Sequence, residues 1–272
     1  RNAVKRGRAS PDIIDSQIVK DTKTIIDEQV KRGFSFVIDP MFRYFDLFQP
    51  ITEGFPPLIE RVEGTLPSMK VRGFSAGPQE NYFDNNVFYF RPLIDEEIDI
   101  NATGFTERYI HSDMLPADKK AVVLPSPFAF AMLSTFAGKN GYEMPFDDRA
   151  KAVANLAQLI GGEAQHLAQQ GFKRIQYDEP VVVHRQYLRN QFSPERYQEI
   201  TKEDIALLKL AMTYCGRIDG AATILQTYFG DAGPILQELL ELNVNGVGID
   251  VTRTSLEDVL KQVDRFRSEE EF

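Results

Sequence analysis

Short apolar runs in this sequence repeatedly stop in a residue that can do chemistry. FSFVID ends at Asp39, and AVVL runs into Pro125-Ser126-Pro127. RIQYDEP delivers Asp178 and Glu179, ATILQTYF delivers Gln226, Thr227 and Tyr228, and VGID ends at Asp250. Carboxylates and hydroxyls gathered this way can move protons, hold an amine or line a polar pocket. The competing reading at each position is local. Asp, Ser and Thr at a strand-to-helix junction often serve the backbone of the next helix. Five such ends together favour a lined pocket over five separate caps. Asp178-Glu179-Pro180 is the sharpest case, because side chains alternate along a strand and two adjacent acids must point opposite ways. One acid of the pair faces the pocket as an acid, a base or an amine ligand. A structural ion pair with Arg185 or Lys173 is the alternative.

Metal chemistry has little to build on. His111, His166 and His184 are scattered, with no pair at helical or hairpin spacing, and Cys215 is the single cysteine. A zinc site of nitrogen and sulfur ligands does not follow from that set. An oxygen-ligated magnesium site from Asp39, Asp178 and Asp250 has no specific signature. No nucleophile stands beside a base. His166 falls in a surface-like helical register, and His184 follows VVV, which reads as a strand.

The elements that must position these groups alternate helix, glycine and buried strand. Ser10-Pro11 signals a first helix, with Ile14, Ile18, Ile25 and Val30 on one face before Gly33. A second helix opens at Asp147–Asp148 and closes at Gly171. A third runs from about Lys202 to Cys215, and a fourth has Pro234 near its start. The last has a capping box from Thr254 to Glu257. Such alternation means βα units on a parallel sheet. No Gly-x-Gly-x-x-Gly and no phosphate-binding Gly-x-x-x-x-Gly-Lys-Ser/Thr follows a strand, so a barrel is favoured over a nucleotide-binding doubly wound sheet. The expected fold class is α/β, a TIM (β/α)8-type barrel. It forms one domain over residues 1–272, with a β-hairpin inserted at about 69–94 in MKVRGFSAGPQENYFDNNVFYFRPLI.

Composition narrows the partners. The 272 residues carry a net charge of −9, and the basic cluster Arg1–Arg8 is confined to the start, so nucleic acid is disfavoured. No apolar run reaches the roughly 18–20 residues a membrane helix requires. The basic start has no apolar signal-peptide core. The lone cysteine fits a reducing, cytoplasmic setting.

IQYDEP, AVVLPSPFAFAMLS, TYFGD, GVGID and the hairpin end FRPLI resemble the cobalamin-independent methionine synthase family. TYFGD is similar to its N-terminal barrel in particular. The resemblance implies two related (β/α)8 barrels in the whole enzyme and transfer of a methyl group from methyltetrahydropteroyl-polyglutamate to homocysteine. It places the zinc of that reaction on the catalytic barrel, held by His, Cys and Glu positions. Those positions fall here at Thr227, Phe229 and Met41, so the resemblance implies no metal in this chain and zinc on a partner barrel. Asp178 matches an aspartate that contacts the amino acid substrate. Asp46 matches an Asp after the second strand, and Arg91 matches a basic hairpin residue. The candidate substrate-binding set is therefore Asp39, Asp46, Arg91, Ser126, Asp178, Glu179, Thr227, Tyr228 and Asp250, with catalytic roles open.

The same resemblance places the family's first strand before Arg1 and two more after Phe272, leaving about five of eight barrel strands here. The expected partner is a second, zinc-bearing barrel or the remainder of a longer chain. The expected ligand is a methyltetrahydrofolate polyglutamate. Two other readings stand beside this one: an independent enzyme, or a binding protein, using the same pocket for another small anionic or amino ligand.

Overall fold

A computed structural model describes residues 11–43, 45–52, 71–82, 87–184 and 193–270. The Arg1–Arg8 cluster, Ser10, residues 69–70 and the middle of the hairpin, and Arg185 lie outside them. Two sheets form. The main one has five parallel strands in spatial order β1 (Val37–Ile38), β4 (Lys120–Pro125), β7 (Arg174–Asp178), β8 (Ala222–Gln226) and β9 (Gly246–Gly248). The order never reverses, so the sheet lacks the switch point of a doubly wound fold.

Registers run level across the sheet. Pro125 lies opposite Asp178, and Asp178 opposite Gln226. The polar strand ends therefore come out along one rim. That alignment is what brings residues 50 or more positions apart into one site.

Helix α1 (Pro11–Lys31) leads into β1, and α4 (Phe146–Gln169) and α6 (Pro194–Cys215) lie in the connections into β7 and β8. In α4, Val153, Leu156, Ile160, Ala164 and Leu167 are buried, as their spacing predicts. Along β7 and β8, Ile175, Tyr177, Thr223 and Leu225 are buried while their neighbours are half-exposed. The buried face looks towards α6: Tyr177 Oη donates to the Cys215 carbonyl at 2.8 Å. Shorter helices α2 (Gln49–Thr52), α3 (Pro127–Leu133), α5 (Val181–His184) and α7 (Leu236–Leu240) follow individual strands, and α8 (Leu256–Glu270) is the last. None of the helices among the described residues is long and apolar enough to cross a membrane.

The inserted hairpin is present as β2 (Phe74–Asn81) and β3 (Phe88–Ile94), antiparallel with a bulge between Ala76 and Gln79. It is larger than the sequence suggests. β5 (Thr135–Phe136) pairs parallel with β3, and β6 (Lys139–Asn140) closes a four-stranded sheet. Two-residue strands have no readable period, so only the Ala137-Gly138 turn could have signalled them.

Several other boundaries move. The first strand is Val37–Ile38 rather than all of Phe34–Asp39, and Phe34 is exposed. Pairing starts only where β4 begins, at Lys120. The third long helix starts at Pro194, eight residues before Lys202, because Ser193 accepts a hydrogen bond from the Arg196 N–H. The VVV run is helical, not a strand. At α8 the capping residue is Ser255, which accepts from Asp258 N–H, while Thr254 accepts from Ala232 N–H. His166 is half-buried against Glu107 rather than on an open surface.

β1 forms one border of the main sheet, and its free side is occupied from within. The Gln29 amide on α1 donates to the Ile38 carbonyl at 2.9 Å and accepts from the Ile38 N–H at 3.0 Å. On its other side Val37 N–H donates to the Lys119 carbonyl.

Candidate functional site

Asp178 and Glu179 do point opposite ways. Glu179 is wholly buried beneath the rim. One carboxylate oxygen accepts from Ser126 Oγ and from Ala129 N–H at 3.1 Å. The other accepts from the Val181 and Val182 N–H groups at 2.9 and 3.0 Å. The acid thus satisfies the first turns of α3 and α5 together, where orphan N–H groups and helix dipoles favour negative charge. Burial pushes its carboxyl up to about 7, against the pull of Ser126 and the backbone donors. Ser126 and Glu179 are thus buried and bonded to each other and to the framework, and Glu179 makes no ion pair with Lys173.

Asp178 faces a cleft of about 390 Å³ at the strand ends. Gln176 Nε2 donates to one of its oxygens at 2.9 Å, and Tyr228 Oη to the other at 3.4 Å. Burial nevertheless raises its carboxyl to about 6. The Tyr228 phenol is raised as well, chiefly by burial. Asp178 and Tyr228 form a hydrogen-bonded polar pair in a largely apolar cleft that Asp46 also lines.

The walls are aromatic. Ring centroids link Tyr228 to Phe229 at 4.8 Å and Phe229 to Tyr82 at 6.1 Å. Tyr82 then meets Tyr89 at 6.4 Å, and Tyr89 meets Phe48 at 5.8 Å. All five rings line the cleft as one aromatic arc, packed edge-to-face or tilted on one another. Phe45 and Met41 extend the lining on the β1 side. No Lys, Arg or His lines the cleft among the described residues. Sequence reasoning missed this arc. Its trace was the alternation of aromatics in NYFDNNVFYF, which reads equally well as hairpin packing.

Most of the remaining predicted residues act on the backbone. Asp39 is buried and accepts from Met41 N–H at 2.7 Å and from His111 N–H at 2.9 Å, with His111 Nδ1 3.1 Å away. Asp46 lines the cleft, but its oxygens accept from the Phe48, Gln49 and Phe90 N–H groups, tying α2 to the hairpin. Arg91 grips Glu80 across the hairpin with two hydrogen bonds and holds that carboxyl below its usual range. The pair borders a separate cavity of about 320 Å³. Thr227 Oγ1 donates to the Gly248 carbonyl at 2.9 Å. Asp250 accepts from Thr252 and from Phe229 N–H at 3.2 Å, and the Thr252 hydroxyl lowers its pKa. The structure therefore gathers Asp46, Asp178 and Tyr228 at one cleft and leaves the other six beneath or beside it.

No group of three or more His, Cys, Asp or Glu among the described residues is placed to hold a metal ion. The positions matched to zinc ligands do not fit zinc. The Thr227 hydroxyl is committed to a carbonyl, Phe229 has no donor atom, and Met41 offers only a thioether.

Within TYFGD the glycine has a steric reason. A Cβ on Gly230 would fall far inside contact distance of the Val183 carbonyl, because the segment lies directly on the backbone of α5. Gly230→Ala is expected to destabilise the protein by about 2–3 kcal/mol, since backbone on both sides must shift. Urea denaturation checks this, and an unchanged midpoint would contradict it.

The profile of the cobalamin-independent synthase N-terminal domain matches residues 71–271. A 5-methyltetrahydropteroyltriglutamate–homocysteine methyltransferase of Streptococcus suis is 26% identical over 182 residues, covering 64% of this chain and 21% of its own length. The enzyme of the same name from Bacillus velezensis is 29% identical over 174 residues, 62% of this chain and 20% of its own. The chain thus spans about a fifth of these relatives. A solved B12-independent methionine synthase from Shewanella, in complex with selenomethionine, aligns with a TM-score of 0.49 at 16% identity, over 86% of this chain and 59% of the other. With a domain profile matched over more than half its length, the chain belongs to the cobalamin-independent methionine synthase N-terminal domain family.

Proposed function

We propose that this chain is an arc of a (β/α)8-type barrel serving as the non-zinc, N-terminal-type half of a methionine synthase system. In this reading its cleft binds the ring of a methyltetrahydrofolate glutamate, and a separate zinc-bearing barrel performs the methyl transfer to homocysteine. The supporting observation is the pairing of Asp178 with Tyr228 at the base of an aromatic arc. A flat heteroaromatic ring can stack on such walls, and its N–H groups can donate to the carboxylate. The glutamate tail would lie outside, since the described lining carries no cation.

That cation-free lining also supports a second reading. A carboxylate among aromatic rings suits an ammonium ligand as well as a neutral ring, and the chain would then be a stand-alone enzyme or binding protein. One experiment separates the two. Purified chain with zinc, homocysteine and 5-methyltetrahydrofolate triglutamate is expected to form no methionine, while the folate alone raises its melting temperature. Turnover by the isolated chain would sink the non-zinc half, and no shift with the folate would leave the amine reading.

A further inference from the structure

Three non-glycine residues among those described have positive φ: Met41 at 59°, Ala137 at 45° and Phe229 at 69°. Ala137 is explained by its place in the two-residue turn between β5 and β6, which requires that conformation. The other two are in no hairpin. Both line the cleft, Met41 beyond the end of β1 and Phe229 beyond the end of β8. In each case a strand-end aspartate accepts the strained residue's own N–H: Asp39 from Met41 at 2.7 Å, Asp250 from Phe229 at 3.2 Å. Side chains that clash with their own backbone in this region persist only where their surroundings hold them.

We infer that Met41 and Phe229 are the specificity-determining jaws of the cleft, and that Asp39 and Asp250 are positioning residues acting through them. The carboxylates clamp the backbone from which the thioether and the ring project, so their attachment points need no reorganisation on binding. Asp39 is fixed in turn by the His111 N–H and ring, and Asp250 by Thr252. The assignment uses the same cleft as the proposed function but does not depend on the ligand being a folate.

The test is a double-mutant cycle on Phe229→Gly and Asp250→Ala, with Met41→Gly beside it. Affinity is read with two probes: thioflavin T, a flat aromatic cation, by fluorescence, and 5-methyltetrahydrofolate triglutamate by calorimetry. Phe229→Gly is expected to weaken thioflavin T about 10-fold, and Met41→Gly about 5-fold. Both melting temperatures should stay within about 3 °C of the parent, because glycine relieves the backbone strain as packing is lost. Asp250→Ala should weaken the probe in the parent but have no further effect once Phe229 is gone. Equal affinities for parent and glycine variants, additive losses in the cycle, or no binding of either probe would overturn the assignment. Thioflavin T binding without folate binding would count against the folate reading alone.

Discussion

Asp178→Asn is expected to stabilise the ligand-free protein at pH 7 and to weaken binding in the cleft by about 10–100-fold. Both effects come from one carboxyl whose pKa is raised to about 6, mainly by burial. In the unfolded chain that group loses its proton near the ordinary aspartate value of 3.8. As pH rises from about 4 to about 6, the unfolded state is therefore favoured by releasing the proton first, and stability declines until it levels off above the folded pKa. An asparagine has no proton to release, so the variant lacks that slope and gains about 1–3 kcal/mol at neutral pH. Binding runs the other way. A ligand donating to the ionised carboxylate is held above pH 6, and its affinity falls as the acid protonates below that. Thermal denaturation from pH 4 to 8, with calorimetry against 5-methyltetrahydrofolate triglutamate and against thioflavin T, measures both. A variant that is less stable at pH 7, or binds both probes undiminished, would remove Asp178 from the site.

Glu179→Ala is expected to be the most destabilising single change at the rim, by about 3–5 kcal/mol, or roughly 8–15 °C in melting temperature. The alanine leaves a buried hydroxyl and three backbone N–H groups, those of Ala129, Val181 and Val182, without their acceptor. Glu179→Gln should not rescue fully, because its NH2 would face donors that need an acceptor. The wild-type acid also has a pH signature. Its carboxyl is raised from 4.5 to about 7, so stability falls as pH climbs through that window and is flat beyond it. In the alanine variant this part of the slope disappears. Hydrogen exchange at Val181 and Val182 gives the local readout. If their protection survives the substitution, Glu179 does not anchor α5.

The sequence made the rim legible because strand ends in a parallel sheet are fixed by alternation and by turn chemistry, both local. The divergence of Asp178 and Glu179 follows from nothing more than the two-residue period of a strand. What each polar end binds is not local. Thr227 and Asp250 read as ligand groups, yet they satisfy the backbone of segments about 20 residues away. Asp46 was singled out by resemblance, but its partner Phe90 N–H lies 44 positions on, across the hairpin. The aromatic arc was ambiguous for the same reason. Phe48, Tyr82, Tyr89 and Phe229 meet only after the hairpin folds over the strand ends. The missed start of α6 is different, since Ser193-Pro194 carries the same signal that marked Ser10-Pro11.

The Gln29 amide gives the β1 border a property of its own. Both outward hydrogen-bonding groups of Ile38 are already satisfied from within the chain. A strand arriving beside β1 would have to evict that amide, trading two hydrogen bonds for two rather than adding any. Hydrogen bonding would then contribute little net drive to growth of the sheet on this side. Any gain would have to come from covering apolar area instead. The border is therefore a poor template for stray strands.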